Sequence, residues 1–354
     1  MRTARLRRGT ALTLGVATGL FWVVAAPASA DRHGSDEHSG RNAYVADVLV
    51  SDQASVGAPI TDPHLVNPWG ITFGPTTPLW VANNGTNTST LYSNNNGPTQ
   101  VPLVVNTQPL PTGAAFNPTT AFKLPDGTAS RFLFDSLSGQ ISAWAPPSTQ
   151  TTTVVTIPGA VYTGLAVTDT RNGPRLFAAD AASKVVHVFD GGWDLVGVLS
   201  DPRLPKDLTP YNVAVLNGKV YVTYAPPPDL EATAKVHGAV DVFSLGGKLQ
   251  RRLVTGGPLN GPWGLAIAPD HWGKFGGALL VGNEDGGRIN AFDRHSGHFL
   301  GFLKDAKGNQ IGEDGLWGIA FGNGVIGTPN QLIIAIGTDE YQHGLVELVS
   351  PVHH

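Results

Sequence analysis

The sequence predicts an all-β ring of six similar units, because three short elements recur in the same order about every fifty residues. Each unit opens with a short strand that usually contains glycine, continues with a nearly continuous apolar run, and then has a strand that ends in an aromatic or aliphatic pair. The chain also holds 44 glycines and 27 prolines among 354 residues, a composition typical of many short strands joined by turns. We therefore predict a six-bladed β-propeller with four-stranded antiparallel blades.

The opening strands are expected to lie innermost and to line a central channel. Neighbouring strands crowd together near the axis of a propeller, and glycine suits that position because it has no side chain. The openings are Pro68-Trp69-Gly70, Thr112-Gly113, Thr163-Gly164, Tyr211-Asn212, Pro262-Trp263-Gly264 and Leu316-Trp317-Gly318.

The second and third elements predict the middle of each blade. The apolar runs fit strands that are buried on both faces, and they cover residues 79–82, 132–134, 176–179, 220–224, 278–281 and 332–336. The third strands end in the pairs Leu91-Tyr92, Ala143-Trp144, Val188-Phe189, Val242-Phe243, Ala291-Phe292 and Leu348-Val349. We expect the aromatic members of these pairs, such as Phe189, Phe243 and Phe292, to be core residues.

The outer strands predict how the ring closes. They follow the aromatic pairs at residues 102–106, 153–157, 195–199, 249–254 and 299–303, but the sixth unit ends at Pro351 without one. An unassigned strand at residues 44–50 can supply it by pairing with residues 344–349. Closure of this kind removes two open sheet edges that could otherwise pair with other chains.

The first thirty residues are typical of an export signal. Four arginines precede an apolar run at residues 11–26, and Ala28-Ser29-Ala30 is a small-residue cleavage pattern. We predict cleavage after Ala30 and a secreted, extracellular protein with a flexible tail at residues 31–43 and a propeller at residues 44–351. An uncleaved anchor is the alternative, and Arg7-Arg8 leaves general export and twin-arginine export both open.

Charge and cysteine usage limit the partners. Residues 1–30 hold four of the 23 basic residues and none of the 27 acidic ones, so the mature chain carries about eight net negative charges. This argues against nucleic acid or an anionic membrane as a partner. The chain has no cysteine, so the fold depends on its core without disulfides. We expect a monomer with no membrane span after cleavage.

Several motifs carry a family resemblance. They are the three Trp-Gly openings, residues 80–85 (WVANNG), residues 288–293 (RINAFD) and residues 314–322 (DGLWGIAFG). Together they resemble an uncharacterised, conserved-hypothetical family of secreted bacterial six-bladed propellers, which is distantly similar to NHL-repeat proteins and to gluconolactonase-like (SMP-type) propellers. The resemblance spans about residues 44–350 and implies the fold without a settled activity. The proline-rich loop at residues 225–237 departs from the family, whose members tend to have an acidic loop there.

Oxygen-bearing side chains follow the second strands or precede the inner strands. Both kinds of loop lie on one face of a propeller, at the mouth of the channel. The candidate ligand-binding residues are Asn67, Asn84, Asp135, Asp180, Asn212, Asn283, Glu284, Asp285, Asp314 and Asp339, with Asn83, Asn260, Glu313 and Glu340 nearby. Carboxylates and amides are the ligands that Ca²⁺ prefers. We predict one divalent cation, most simply Ca²⁺, at Asn212, Glu284, Asp285 and Asp314, with Asn67 and Asn283 close by.

Each of these residues also has a structural interpretation. Asp and Asn form turns because their side chains bond to nearby backbone N–H groups. His64, His237 and His343 could approach the same face, but no zinc-binding spacing is present. Ser136 and Ser138 lie near Asp135 without the G-x-S-x-G motif of a nucleophile elbow. The tryptophans at positions 69, 263 and 317 could stack on sugars, but we expect them to pack between blades.

Two functions from different classes remain open. The first is an extracellular module that uses the channel-mouth face to bind a small molecule, a glycan or a protein. The second is a Ca²⁺-dependent hydrolase of a small ester or lactone, because in gluconolactonase-like propellers a metal at this mouth polarises a substrate carbonyl. We favour the binding module, since no catalytic acid–base pair can be identified from the sequence and propellers host both classes.

Overall fold

Residues 41–352 are described by the computed structural model, and they form six antiparallel sheets arranged as a ring. The predicted export signal and residues 31–40 of the predicted tail lie outside the described residues, as do His353 and His354. The last residues before the first strand contact the propeller, since the amide of Asn42 donates a hydrogen bond to the carbonyl of Phe302. In the described part of the chain, no helix is long and apolar enough to cross a bilayer.

The first three blades follow the predicted order from the channel outwards. Blade 1 contains Pro68–Thr72, Leu79–Asn83, Thr88–Ser93 and Thr99–Gln100, with Val105–Asn106 also paired to the third strand. Blade 2 contains Pro111–Phe116, Phe132–Ser136, Gln140–Trp144 and Thr152–Thr156. Blade 3 contains Tyr162–Thr168, Arg175–Asp180, Val185–Asp190 and Leu195–Leu199.

Blades 4 to 6 complete the ring. Blade 4 contains Thr209–Leu216, Lys219–Ala225, Ala239–Ser244 and Leu249–Thr255. Blade 5 contains Pro262–Ile267, Leu279–Asn283, Ile289–Phe292 and Phe299–Phe302, and blade 6 contains Leu316–Phe321, Leu332–Gly337, His343–Pro351 and Tyr44–Ser51. Short helical turns lie in the loops at Ala54–Val56, Glu231–Thr233, Gly273–Phe275, Asp285–Gly287 and Thr338–Tyr341.

The predicted closure of the ring is confirmed. The strand Tyr44–Ser51 pairs antiparallel with His343–Pro351, from Tyr44 opposite Pro351 to Ser51 opposite Leu345, with a bulge between Val48 and Val50. The short strand Ile60–Thr61 then covers the outer edge of this blade by parallel pairing. The sixth blade is therefore built from both ends of the described chain.

Close packing at the axis explains the glycines of the inner strands. A Cβ atom added to Gly70 would lie 2.5 Å from the backbone nitrogen of Ala114, and one added to Gly264 would lie 2.6 Å from the carbonyl oxygen of Trp317. Such contacts are closer than carbon atoms can approach. The prediction that inner strands crowd together around the channel is confirmed.

The core lies between the blades, as the sequence predicted. The predicted core residues Phe189, Phe243 and Phe292 are at most 1% exposed, and they pack in clusters that combine side chains from neighbouring blades. The outer strand of blade 1 differs from the prediction, because residues 102–106 do not form one continuous strand. Pro102 has no N–H to donate to a sheet, which accounts for the break.

Candidate binding site at the channel mouth

Three indoles close the mouth of the channel. The rings of Trp69 and Trp317 stack with centroids 3.7 Å apart, and Trp263 packs edge-on against both at 6.4 and 6.1 Å. The Nε1 of Trp263 donates to the carbonyl of Thr163 in blade 3, at 2.9 Å, and so reaches across the channel. We expected these residues to pack between blades, and the indoles of the adjacent blades 5, 6 and 1 do pack against one another, at the axis of the ring.

Blades 1 to 3 use their oxygen-bearing side chains to hold the mouth together. Asn67 accepts a hydrogen bond from Trp317 and donates one to Asn84, whose own amide donates to the carbonyl of Pro111 in the next blade. In blade 3, Asp180 accepts hydrogen bonds from the backbone nitrogens of residues 161 and 182. These contacts support the structural interpretation of Asn67, Asn84 and Asp180, whose side chains bond to turns or to the neighbouring blade.

Asp135 is the most deeply buried of these groups. One carboxylate oxygen accepts hydrogen bonds from the hydroxyl of Thr112, at 2.8 Å, and from the backbone nitrogen of Gly113, at 2.6 Å. Its other oxygen has no hydrogen-bond partner among the described residues. Burial raises the pKa of Asp135 to about 6, although these donors favour the charged form. One oxygen of Asp135 thus joins two neighbouring strands of blade 2, and the predicted ligand-binding role of this residue stays a prediction.

Asn212 and Asn283 are also used inside the fold. The amide of Asn212 donates to the carbonyl of Trp263 at 2.9 Å and accepts from the nitrogen of Val213. Asn283 accepts from the nitrogen of Asn260 and donates to the carbonyl of Arg288. Nothing in these contacts supports the predicted roles of Asn212 as a metal ligand and Asn283 as a ligand-binding residue.

The carboxylates of blades 5 and 6 behave differently, because they gather with one another. Glu284 is 7% exposed, and the hydroxyl of Tyr341 donates a hydrogen bond to it. The pKa of Glu284 is raised to about 8, chiefly by burial and also by the charges of Asp285 and Asp314, against the lowering effect of the Tyr341 hydrogen bond. Burial also raises the pKa of Asp285, followed by the charges of Glu231 and Asp314.

Backbone contacts hold this acidic cluster (Glu231, Glu284, Asp285 and Asp314) in place. The nitrogen of Glu284 donates to Gly261 and its carbonyl accepts from Gly315, both at 2.8 Å, so three loops are joined at one residue. Gly287 has φ of 65° and approaches residue 313 so closely that no Cβ would fit. Asp314 accepts a hydrogen bond from the nitrogen of Gly286 at 2.6 Å.

Aromatic side chains border the acidic cluster. The ring centroid of Tyr341 lies 5.9 Å from that of Trp317. The ring of Tyr211 lies 6.0 Å from the same indole and packs against it edge to face. Burial raises the pKa of Tyr211 well above its usual range, and the charge of Glu284 adds to that rise. The mouth therefore combines buried carboxyl groups with aromatic side chains.

The turn that presents Tyr341 is strained. Asp339, Glu340 and Tyr341 have φ values of 50°, 53° and 66°, in the left-handed region that residues other than glycine rarely adopt. Asp339 and Glu340 are exposed at the rim, where Asp339 lies 3.9 Å from His343. Strain of this kind is often held in place at functional sites.

The predicted metal site has no support from the geometry. No three or more histidine, aspartate or glutamate side chains of residues 41–352 are placed so that they could hold a metal ion. Two of the three histidines considered above have structural contacts: His343 bonds to Asp52 at 2.7 Å, and the nitrogen of His64 bonds to Asp62. His237 lies close enough to Asp285 for its charge to lower the pKa of that carboxyl. Binding of Ca²⁺ stays a prediction.

Sequence reasoning found part of this site. It named Glu284, Asp285 and Asp314 as candidates, and the structure brings these three together, but it did not name Tyr211, Tyr341 or Glu231. Glu231 lies in the loop at residues 225–237, whose unusual composition was a signal. Nothing in the sequence indicates that the side chain of Tyr341 turns towards Glu284, because that depends on a left-handed turn of three ordinary residues.

The fold and this mouth define the protein as a six-bladed β-propeller with an acidic, aromatic-lined channel mouth. No model of a known protein family matches the chain. Uncharacterized protein R648 of Acanthamoeba polyphaga mimivirus is 34% identical over 297 residues, which cover 77% of this chain and 72% of R648. Uncharacterized protein L690 of the same virus is 31% identical over 296 residues, covering 77% of each chain. The chain therefore belongs to one family with these two uncharacterised proteins.

The prediction that the chain belongs to an uncharacterised family of propellers is confirmed by these two relatives. The bacterial and secreted origin that the resemblance implied finds no support in these relatives, which are viral. Among solved structures, the chain is similar to a streptogramin B lyase, with a TM-score of 0.53 and 9% identity over 89% of this chain and 100% of that one. It is also similar to the WD40 β-propeller domain of Doa1, with a TM-score of 0.51 and 11% identity over 87% and 97%. Likeness at this level of identity shows the fold alone.

Proposed function

We propose that the protein is a binding module that holds a small organic cation at its channel mouth, against Glu284, Asp285 and Asp314. The observation that carries this proposal is the rise in the pKa of Glu284 to about 8 by burial and neighbouring carboxylates. Carboxylates gathered in this way repel one another unless a proton or a cation relieves them. A cation that binds in place of the proton would remove this repulsion between the carboxylates, and its binding would be stabilised accordingly.

The surroundings favour an organic cation over a metal ion. The ion pairs that Arg252 forms with Asp201 and Asp241 lie in another part of the propeller. Tyr211 and Tyr341 border the carboxylates, and aromatic faces attract ammonium and guanidinium groups. Ammonium groups also need none of the close oxygen geometry that Ca²⁺ requires.

The experiment is a calorimetric titration of the purified protein with tetramethylammonium, butylammonium, guanidinium and Ca²⁺ at pH 6 and pH 9. We expect an organic cation to bind more tightly at pH 9, because it no longer competes with the proton on Glu284. Glu284→Gln should weaken binding at least tenfold. Asp126→Asn, which removes an exposed carboxylate from the opposite face, is the matched control and should bind like the wild type. Equal binding by the wild type and Glu284→Gln would refute the proposal.

A second candidate function is hydrolysis of a small ester or lactone. It is favoured by one observation, since a carboxyl whose pKa lies near neutrality suits general acid–base chemistry. A panel of esters and lactones, assayed with Ca²⁺ and with a chelator, tests this candidate. Turnover that requires Ca²⁺ and is lost in Glu284→Gln would replace the binding module with a hydrolase.

We also propose that the protein is exported. The basic start, the apolar run and the Ala28-Ser29-Ala30 pattern support cleavage after Ala30 and action outside the cell. N-terminal sequencing of protein from the culture medium should begin at Asp31. Recovery of the chain only from inside the cells, with residues 11–26 retained, would contradict this.

A further inference from the structure

The central channel holds a cavity of about 380 Å³ on the far side of the three indoles. All six inner strands line it, and each blade contributes an apolar side chain: Ile71, Phe116, Val167, Val215, Leu265 and Ile319. Trp263 lies at its boundary, and the same ring packs in the indole cluster. The cavity is therefore separated from the acidic mouth by the indoles.

The direction of the inner strands shows where this cavity opens. Each inner strand starts at the mouth and ends at the opposite face of the ring. The lining includes Phe116 and Leu216, which end their strands, and Pro118, which lies beyond one. A molecule would reach the cavity from the face opposite the acidic cluster.

The chemistry of the lining selects against water and ions. None of the lining side chains is charged, and the hydrogen-bonding side chains among them are those of Thr72, Asn212 and Trp263, whose Nε1 already donates to the carbonyl of Thr163. The hydroxyl of Thr72 already accepts a hydrogen bond from the nitrogen of Phe116, and the amide of Asn212 is bonded to Trp263 and Val213. A buried water needs two to four polar partners, so the side chains of this cavity offer it little.

We infer that this cavity is a binding site for a neutral, largely apolar small molecule. Its volume lies within the range of about 300–1,000 Å³ that is usual for ligand pockets, and its walls are preformed by strands instead of mobile loops. The ligand gains by displacing poorly bonded water from apolar surface. This site does not depend on the function proposed for the mouth.

The test is a fluorescence titration of the purified protein with N-phenyl-1-naphthylamine, a neutral apolar probe. We expect saturable binding with one site, and calorimetry at several temperatures should give a negative heat-capacity change. Ala320→Phe places a ring in the cavity and should weaken binding at least tenfold, because Ala320 lines the cavity and belongs to no core cluster. Ala320→Leu fills less space and should have a smaller effect in the same direction.

Two further comparisons decide the result. Glu284→Gln alters the mouth and should leave the affinity for the probe unchanged, so failure at this site can be told apart from failure at the mouth. The inference is overturned if the wild type does not bind the probe, or if folded Ala320→Phe and Ala320→Leu bind it as tightly as the wild type. Binding that is lost in Glu284→Gln and kept in the Ala320 variants would also overturn it, because the probe would then sit at the mouth.

Discussion

The two halves of the channel mouth use the same residue types in opposite ways. In blades 1 to 3, these side chains bond to the backbone. Asn84 donates a hydrogen bond to a carbonyl of the next blade, and Asp135 and Asp180 accept hydrogen bonds from backbone nitrogens of their own blades. Over blades 5 and 6, Glu284, Asp285 and Asp314 lie close enough to raise the pKa of the first two. The position of a carboxylate at the end of a strand therefore does not show whether its role is structural or whether it is a candidate binding group. The hydrogen-bond partners of its oxygens do show this.

The largest expected effect concerns the strand that joins the two halves. Deletion of residues 31–52 removes the outer strand of blade 6, which pairs with residues 343–351, and exposes a sheet edge. We expect the protein to unfold or aggregate, as measured by circular dichroism and size-exclusion chromatography. Deletion of residues 31–40 is the control and should leave the melting temperature unchanged. If both truncated proteins stay soluble and melt alike, this strand does not close the ring.

The fold could be predicted from the sequence because it is repetitive. A period of about fifty residues, buried apolar runs and crowded glycines each follow from the position of a strand in a blade, and the strands repeat that position six times. The break in the outer strand of blade 1 shows the limit, since Pro102 changes one strand without disturbing the repeat. The missing sixth outer strand was located because only one unassigned strand remained.

The candidate site could be predicted only in part. Blade topology places loop residues at the mouth, so Glu284 and Asp285 were found there. Which side chains meet one another depends on loop backbones that do not repeat, as the left-handed turn before Tyr341 and the loop that carries Glu231 show. The indoles show a related limit: the sequence repeat indicates that three residues are equivalent and pack between blades, but not that their side chains meet at the axis.

The contrast between the two halves of the mouth can be tested by removing one carboxylate from each half. Asp135→Ala should lower the free energy of unfolding by about 1–3 kcal/mol, because it leaves the buried nitrogen of Gly113 without an acceptor. Asp314→Ala removes a group whose hydrogen bond is exposed, and it should change the free energy of unfolding by less than about 0.5 kcal/mol. Urea denaturation of both variants at pH 7 measures the difference. Equal losses would mean that the two carboxylates have the same role.

The pH dependence of stability sharpens the same contrast. The pKa of Glu284 is raised in the folded state, so the folded protein binds more protons and loses stability as pH rises from about 4.5 to 8. Buried Asp135, Asp241 and Glu347 contribute with the same sign. Glu284→Gln should therefore be more stable than the wild type at pH 9, on the order of 1 kcal/mol or more, and lose that advantage near pH 4.

Thermal denaturation between pH 4 and pH 9 measures this difference between the two proteins. Because Asp135, Asp241 and Glu347 are common to both proteins and do not belong to the acidic cluster, their contributions cancel in the comparison. A constant difference at all pH values would show that Glu284 does not titrate in this range, and the charged half of the mouth would then resemble the structural half.

The smallest expected effect isolates the hydrogen bond that Tyr341 donates to Glu284. That bond favours the charged carboxylate, so its removal in Tyr341→Phe should raise the pKa of Glu284 further. Carbon-13 NMR titration of the glutamate carboxyls measures this shift. Glu347 provides an internal reference, because it lies in the strand His343–Pro351 and its raised pKa comes from burial and from the charges of Glu313 and Asp47. If the pKa of Glu284 falls or stays unchanged in Tyr341→Phe, the hydroxyl does not stabilise its charge. The negative charge that we propose for cation binding would then depend on Asp285 and Asp314.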